Sequence, residues 1–356
     1  MMSVISKQSR FCATLLSGAI ITFLLAATTA LPHSPTVEQN ALAPDFEPWL
    51  EQLREEALQR GISAATIQAA LSHIKPLEKV LKKDRNQAEF KLTFASYSAR
   101  VLTAENIDRG RALLQEHATL LNKVSQSYGV QPRFIVAIWG LETRYGAITG
   151  SDDILPGLTT LAYDRRRSQF FREQVFAALQ MVDKGYIELS EMRGSWAGAM
   201  GQPQFMPTSY MEYAQDFDGD GRRDIWNNLG DVFASIANYL SRHGWSDDLT
   251  WGRPIRLPVN FQRSLDAFAY KGEKGCRAER SMTVTKILPE WQALGIRNED
   301  GSDLPSRPIP AAIVQPDGPD GGAFLVYSNY RSVLRYNCAH LYALTVGTLA
   351  DKLDDR

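Results

Sequence analysis

The chain has few cysteines: Cys12, Cys276 and Cys338 are the three in 356 residues. That is too few for a disulfide framework to carry the fold. An excess of charge of either sign is missing too, since 39 Lys and Arg balance 40 Asp and Glu. No global field therefore points to nucleic acid or to an anionic membrane surface as a partner. Internal repeats and low-complexity tracts are absent, which excludes solenoids and long disordered arrays. Long apolar runs are absent as well, apart from one at the start.

That run, Phe11 to Ala27, follows Lys7 and Arg10 and precedes the small residues Thr28, Thr29 and Ala30. The layout is that of a secretory signal over residues 1–30, and it predicts export to the periplasm. A retained membrane anchor is the alternative, because the run is near the lower length limit for spanning. Cys12 does not follow the run, so it is badly placed for a lipid anchor at a cleavage site. Once the signal is removed, Cys276 and Cys338 remain. They could pair in an oxidising compartment, and their wide separation decides nothing about geometry.

Length allows two or three compact units. Residues 31–44 read as a proline-containing linker, and 45–128 as a helical domain. Within it Trp49, Leu50, Leu53, Ala57 and Leu58 form one apolar face, and Ser63 suits a helix N-cap. Lys82-Lys83-Asp84-Arg85 reads as a solvated face, and Glu105 to Tyr128 carries one further amphipathic pattern. Residues 129–250 read as a helical core, with apolar helices over Gln169 to Val182 and Val232 to Leu240. Residues 251–327 change character: prolines and glycines are frequent, and Ile255–Val259, Met282–Thr285 and Phe324–Tyr327 suit strands. Residues 328–356 return to helix from Leu341 to Leu353. The expected class is mainly α (α+β), with a small inserted β-rich domain.

The most informative stretch is Ala137-Ile-Trp-Gly-Leu-Glu-Thr-Arg-Tyr-Gly146. Pro132 suits the first turn of a helix, Phe134, Ile135, Val136, Ile138 and Leu141 its buried body, and Gly146 its end. Glu142 would thus sit at the negative end of a helix dipole in apolar surroundings. Both effects raise a carboxylate's pKa, as a general acid at neutral pH requires. A glutamate paired with Arg144 is the plain alternative. A second stretch, Gly194 to Ser209, interleaves three glycines with Ser195, Trp196, Gln202, Gln204, Phe205 and Met206. Such a loop can bring backbone amides and short polar groups against a ligand. A third element is Tyr336-Asn337 followed by Tyr342.

A fourth is Asp216-Phe-Asp-Gly-Asp-Gly-Arg-Arg-Asp224. Acidic residues occupy positions one, three, five and nine, and glycine position six, as in the opening of an EF-hand. Arg222 at position seven could offer its carbonyl. Asn227 stands where the bidentate glutamate would be, and a metal-free Asx-rich turn remains the alternative.

Together these motifs resemble the B-type lytic murein transglycosylases over roughly Phe46 to Leu353. The carriers are Gly140-Leu-Glu-Thr-Arg-Tyr-Gly146, Gly194-Ser-Trp-Ala-Gly-Ala-Met-Gly201 with Gln204-Phe-Met-Pro207, and Arg335-Tyr-Asn337. The resemblance implies a lysozyme-like catalytic core and makes Glu142 the single acid/base. It implies that Ser195, Gln204, Tyr97, Tyr336, Asn337 and Tyr342 contact glycan, and that Arg166 and Arg167 face the peptide stem. It also implies structural Ca²⁺ held by Asp216, Asp218, Asp220 and Arg222, with Asp231 closing a longer loop. No cofactor is implied for catalysis. The expected partners are peptidoglycan glycan strands, with other cell-wall enzymes as further candidates, and the protein is expected to be a monomer. Two other readings remain: a muramidase that uses water, and a peptidoglycan-binding protein without turnover.

Overall fold

In the N-terminal helices, apolar residues three and four apart decide which face is buried. The structure is a computed structural model that describes residues 46–86, 92–164, 166–259, 261, 265–272, 276–319 and 321–354. The signal segment and the linker lie outside the described residues. Helix α1 (Phe46–Gln59) buries Leu50, Leu53 and Ala57. Leu58, expected on the same face, is 50% exposed. Helix α2 (Ala64–Leu71) starts at Ser63, whose hydroxyl accepts from the Thr66 N–H, the expected cap. Helix α3 (Glu78–Asn86) carries the Lys82–Arg85 run. Helix α4 (Phe94–Ser98) is capped by Thr93, and its first N–H donates to the Asp317 carboxylate at 2.8 Å.

The pattern from Glu105 to Tyr128 forms two helices, α5 (Ala104–Glu116) and α6 (Ala118–Tyr128). They part at His117, with φ −99° and ψ 15°. No glycine or proline announces the break. The His117 ring packs on Trp139 and Phe233, so tertiary contacts support the bend. Helix α7 (Pro132–Thr143) follows, buried over most of its length. Next come β1 (Asp152–Asp153), α8 (Ile154–Tyr163), α9 (Ser168–Asp183), β2 (Arg193–Gly194), α10 (Pro207–Tyr213) and α11 (Leu229–Arg242).

Strands β3 (Gly252–Arg256), β4 (Lys286–Ile287), β5 (Arg297–Asn298), β6 (Pro310–Val314) and β7 (Ala323–Val326) form an antiparallel sheet of order β4-β6-β7-β3-β5. Helix α12 (Leu288–Ala293) packs on it, and Trp291, Leu325 and Ile313 fill its core. Met282–Thr285, read as a strand, contributes only an isolated bridge at Thr283. Its Thr283 side chain instead accepts the Ile313 N–H at 2.8 Å. The β6 strand went unread because its Ala-Ala centre lacks a β-branched signature. The chain closes with α13 (Ser328–Tyr336) and α14 (His340–Leu353).

Helix α7 is the axis of the largest core, where it meets α5, α6, α11 and α14. A second core joins α1 and α2 to α8, α9 and the glycine-rich loop. Cys276 and Cys338 are disulfide-bonded, tying the segment before β4 to the corner between α13 and α14. Among the described residues no helix is long and apolar enough to cross a membrane.

Candidate active site

Helix α7 forms because Pro132 presets its first turn and an unbroken apolar run follows. Phe134, Ile135, Val136 and Ile138 are fully buried, whereas Leu141 is only partly so. The helix stops at Thr143, before the expected Gly146. Arg144 is the left-handed cap (φ 51°), and Tyr145 (φ 59°) and Gly146 (φ 79°) continue that turn. Left-handed backbone costs a side-chain-bearing residue about 1–2 kcal/mol. Contacts hold it there: the Tyr145 ring meets Trp139 edge-on at 5.5 Å, and its hydroxyl donates to Asn106 O at 2.9 Å. Gly140 and Gly110 leave no room for a side chain because that ring passes over them.

The turn leaves Glu142 at the end of α7, partly exposed and ringed by tyrosines. Tyr342, from α14, donates its hydroxyl to Glu142 Oε1 at 2.6 Å. Desolvation pushes the Glu142 carboxyl up to about 7, and the Tyr342 hydrogen bond partly opposes it. Arg144 is exposed, and among the described residues Glu142 makes no ion pair. Tyr336 and Tyr342 are stacked at 6.4 Å and 15°, and both phenols are raised well above their usual range, first by burial and then by Glu142. Tyr97, on α4, is raised by the same two causes, so it lies within electrostatic reach of the carboxylate. Its helix is held by Asp317 and by an edge contact of Phe94 with Phe324.

The second wall is the glycine-rich loop. Ser195 closes it on itself: its N–H donates to Ala199 O at 2.8 Å, and its hydroxyl accepts from Ala199 N–H at 3.0 Å. Gly194 is required, because a Cβ there would lie 2.1 Å from Ala199 O. Gln204 sits in left-handed backbone (φ 52°), and its amide nitrogen donates to Thr149 O and Gly201 O, each at 2.9 Å. Tyr336 ties this wall to α13, donating to Pro203 O at 2.6 Å. Asn337 is exposed at the end of α13, one residue before the disulfide. Glu142, Tyr97, Tyr336 and Tyr342 thus cluster together, and the Tyr336 bond to Pro203 O brings the cluster against the loop that carries Gln204.

Arg166 and Arg167 are engaged elsewhere. Both guanidiniums pair with Asp84, on α3, whose side chain is buried. The Lys82–Arg85 run is therefore a solvated face only at Lys82, Lys83 and Arg85, and Asp84 turns inward.

In the acidic loop, carboxylate oxygens of Asp216, Asp218 and Asp231 lie within 4.8 Å of one another. Asp220 stands outside this group, and its Oδ1 accepts the Arg222 N–H at 2.7 Å. Asp231 is fully buried and accepts from Phe217 N–H and Asp224 N–H, each at 2.7 Å. Burial raises its carboxyl to about 6 against those two bonds, and the charges of Asp218 and Asp216 add to the rise. Three convergent oxygens, one from a buried acid, suit a hard divalent cation. Gln202, given no role of its own in the sequence reading, joins this loop to α7: it accepts from Trp139 Nε1 and donates to Trp226 O, each at 2.7 Å.

A partly exposed acid raised to neutrality among tyrosines defines a candidate acid/base enzyme. A family model described as "Transglycosylase SLT domain" matches residues 45–351. The chain belongs to this family of lytic transglycosylases. It is 41% identical to SltB3 from Pseudomonas aeruginosa in complex with NAG-anhNAM-pentapeptide, with a TM-score of 0.78 over 86% of this chain and 79% of that one. It is 28% identical to Slt35 from Escherichia coli in complex with calcium, with a TM-score of 0.70 over 86% and 92% of the two chains. It is also 36% identical to the Escherichia coli membrane-bound lytic murein transglycosylase B over 197 residues, 52% of this chain. That alignment spans about half, 54%, of the curated relative. The fold class is the expected one, a mainly α lysozyme-like architecture with a small sheet.

Proposed function

We propose that the chain is a peptidoglycan lytic transglycosylase acting in the periplasm. It cleaves the β-1,4 bond between N-acetylmuramic acid and N-acetylglucosamine and leaves a 1,6-anhydromuramic end. The observation that carries this reading is the state of Glu142: raised to about 7, bonded to Tyr342, and shifted by no second carboxylate. Protonated Glu142 donates to the departing glycosidic oxygen as the C1–O4 bond breaks. The carboxylate so formed keeps the Tyr342 hydrogen bond. It then takes the proton of the muramic C6 hydroxyl as O6 bonds to C1, which restores the acid. No water is consumed, and one carboxyl performs both transfers. Most glycosidases need a second carboxylate for the nucleophilic or basic role; here the substrate supplies the nucleophile.

Tyr97, Gln204, Ser195, Tyr336 and Asn337 would hold the sugars, and Arg166 and Arg167 would meet the peptide stem. The SltB3 structures hold NAG-anhNAM-pentapeptide and NAG-NAM-pentapeptide, which supports a muropeptide substrate. Asp216, Asp218 and Asp231 would hold Ca²⁺, whose contribution is to stiffen the loop behind the groove. Export rests on the Lys7/Arg10 layout at the start of the chain.

Mass analysis of products from purified sacculi tests the chemistry. Products one water lighter than hydrolysis gives are expected. Reducing ends, with solvent oxygen at C1, would identify the protein as a muramidase.

A further inference from the structure

Gln202 sits where α7 meets the exit of the acidic loop, and it bonds to both. Its backbone N–H donates to Ile225 O at 2.8 Å and its side-chain amide to Trp226 O at 2.7 Å. On the other side, its Oε1 accepts from Trp139 Nε1 at 2.7 Å, and its carbonyl accepts from Thr143 Oγ1 at 3.0 Å. Trp139 lies one turn before Glu142, and Thr143 directly follows it. The exit is itself held by the acidic cluster: Asp224 N–H donates to Asp231 Oδ2 at 2.7 Å, and Trp226 N–H to Asp224 Oδ1 at 2.9 Å.

The packing around Gln202 is tight on both sides. A side chain at Gly146 would strike Gln202 Oε1 at 2.5 Å, and one at Gly201 would strike Ile225 at 2.7 Å. Both glycines have left-handed backbone. A planar amide presents a donor and an acceptor from one rigid group. It therefore serves an indole N–H on one side and a main-chain carbonyl on the other, and no apolar side chain of its size does either.

We propose that Gln202 is a positioning residue that transmits the state of the acidic loop to Glu142. The proposal rests on the acid/base reading of Glu142 and on the cation reading of the loop. With a cation gathering Asp216, Asp218 and Asp231, the Asp224–Trp226 segment is fixed. Through Gln202 that fixes both flanks of Glu142. A loosened segment lets the carboxyl drift from its donor position, and small misplacements of a reacting group cost rate rather than affinity.

The test uses the whole purified chain, wild type and the variants Gln202→Met and Gln202→Glu, with calcium chloride or chelator. Hydrogen–deuterium exchange is read in residues 139–146 and 216–231, and kcat and KM are read on glycan strands. In wild type, calcium slows exchange in both segments. In Gln202→Met it slows exchange only in 216–231, while kcat falls about tenfold or more and KM stays within about twofold. Gln202→Glu keeps an acceptor for Trp139 but loses the donor to Trp226 O. It also loses the calcium effect at 139–146, and it decides the matter if the Met variant fails to fold. Calcium protection of 139–146 in a folded variant equal to wild type overturns the role of Gln202, as does protection of 216–231 alone in wild type. Protection of neither segment in wild type removes the cation reading and the relay with it. Turnover retained by Glu142→Gln removes the acid/base reading separately.

Discussion

The Tyr342 hydroxyl donates to Glu142 Oε1 at 2.6 Å across 200 positions of sequence. The bond stabilises the ionised carboxylate, while desolvation opposes ionisation more strongly, so the carboxyl rests near 7. An acid that must carry its proton loses activity as pH rises through that value, so kcat/KM should have a basic limb near 7. Removing the hydroxyl removes the one influence that lowers the pKa. In Tyr342→Phe the limb should therefore move to higher pH, with a lower maximal rate. Paired pH–rate profiles check this, and a limb that stays put or moves to lower pH contradicts it.

Glu142 also sets a stability cost. Its folded pKa of about 7 lies above the ordinary value of 4.5, so the folded state holds the proton longer. The group's favourable contribution is complete below about 4.5 and is lost as pH rises through about 7. Glu142→Gln should therefore melt higher than wild type at pH 8, by on the order of 1–3 kcal/mol, and match it near pH 4. Gln keeps an acceptor for Tyr342 but carries no proton to transfer, so turnover should vanish. Thermal melts at the two pH values, beside a sacculus assay, measure both effects. Equal melts at pH 8 would mean that the carboxyl is not strained by burial.

Most of this site could be read from the chain because its parts are local. Proline at the start of α7, the apolar run and Glu142 near its end belong to one continuous segment, so periodicity places a glutamate at the end of a buried helix, while its reading as the acid comes from the family resemblance. The glycines of the 194–201 loop mark close approaches such as Gly194 against Ala199 O. What spacing misses is what distant segments supply. The Tyr342 bond, the inward turn of Asp84 toward Arg166 and Arg167, and the Gln202 bridge all join residues with no local pattern between them. Asp84 shows the failure plainly, because a charge among charges reads as solvated until its partners are known. The break at His117 failed for the same reason, since the rings that support it lie on α7 and α11.

Asp84 is buried on α3 beneath two arginines. Its buried carboxylate holds two half-exposed guanidiniums, so it anchors α3 to the turn between α8 and α9. Asp84→Ala should lower stability by about 1–3 kcal/mol through loss of charged hydrogen bonds. With their anchor gone, Arg166 and Arg167 should no longer present a fixed cationic surface. KM for peptide-bearing strands should then rise, while KM for strands stripped of peptide stays near the wild-type value. An equal rise on both substrates would show that the arginines only support the fold.

The acidic loop is preshaped by its own hydrogen bonds. Asp216 already accepts N–H bonds from Gly219 (2.7 Å), Asp220 (3.1 Å) and Gly221 (2.8 Å), so its oxygens are fixed in place. Asp218 and the buried Asp231 bring further oxygens to within 4.8 Å, where like charges repel. A divalent cation turns that repulsion into attraction, and it binds only where the loop is folded. By mass action, calcium at about a hundred times its Kd should stabilise the fold by about 2.7 kcal/mol. Asp231→Asn removes the buried charge and keeps the shape, so its melting temperature should respond little to calcium. Asp220→Ala should retain most of the response, because that side chain stands outside the cluster. Melts with calcium and with chelator, run on all three proteins, provide the comparison. Coincident wild-type curves would show that the loop is an Asx-rich turn without a metal. A response lost in Asp220→Ala would mean that the ion recruits this side chain away from the Arg222 N–H.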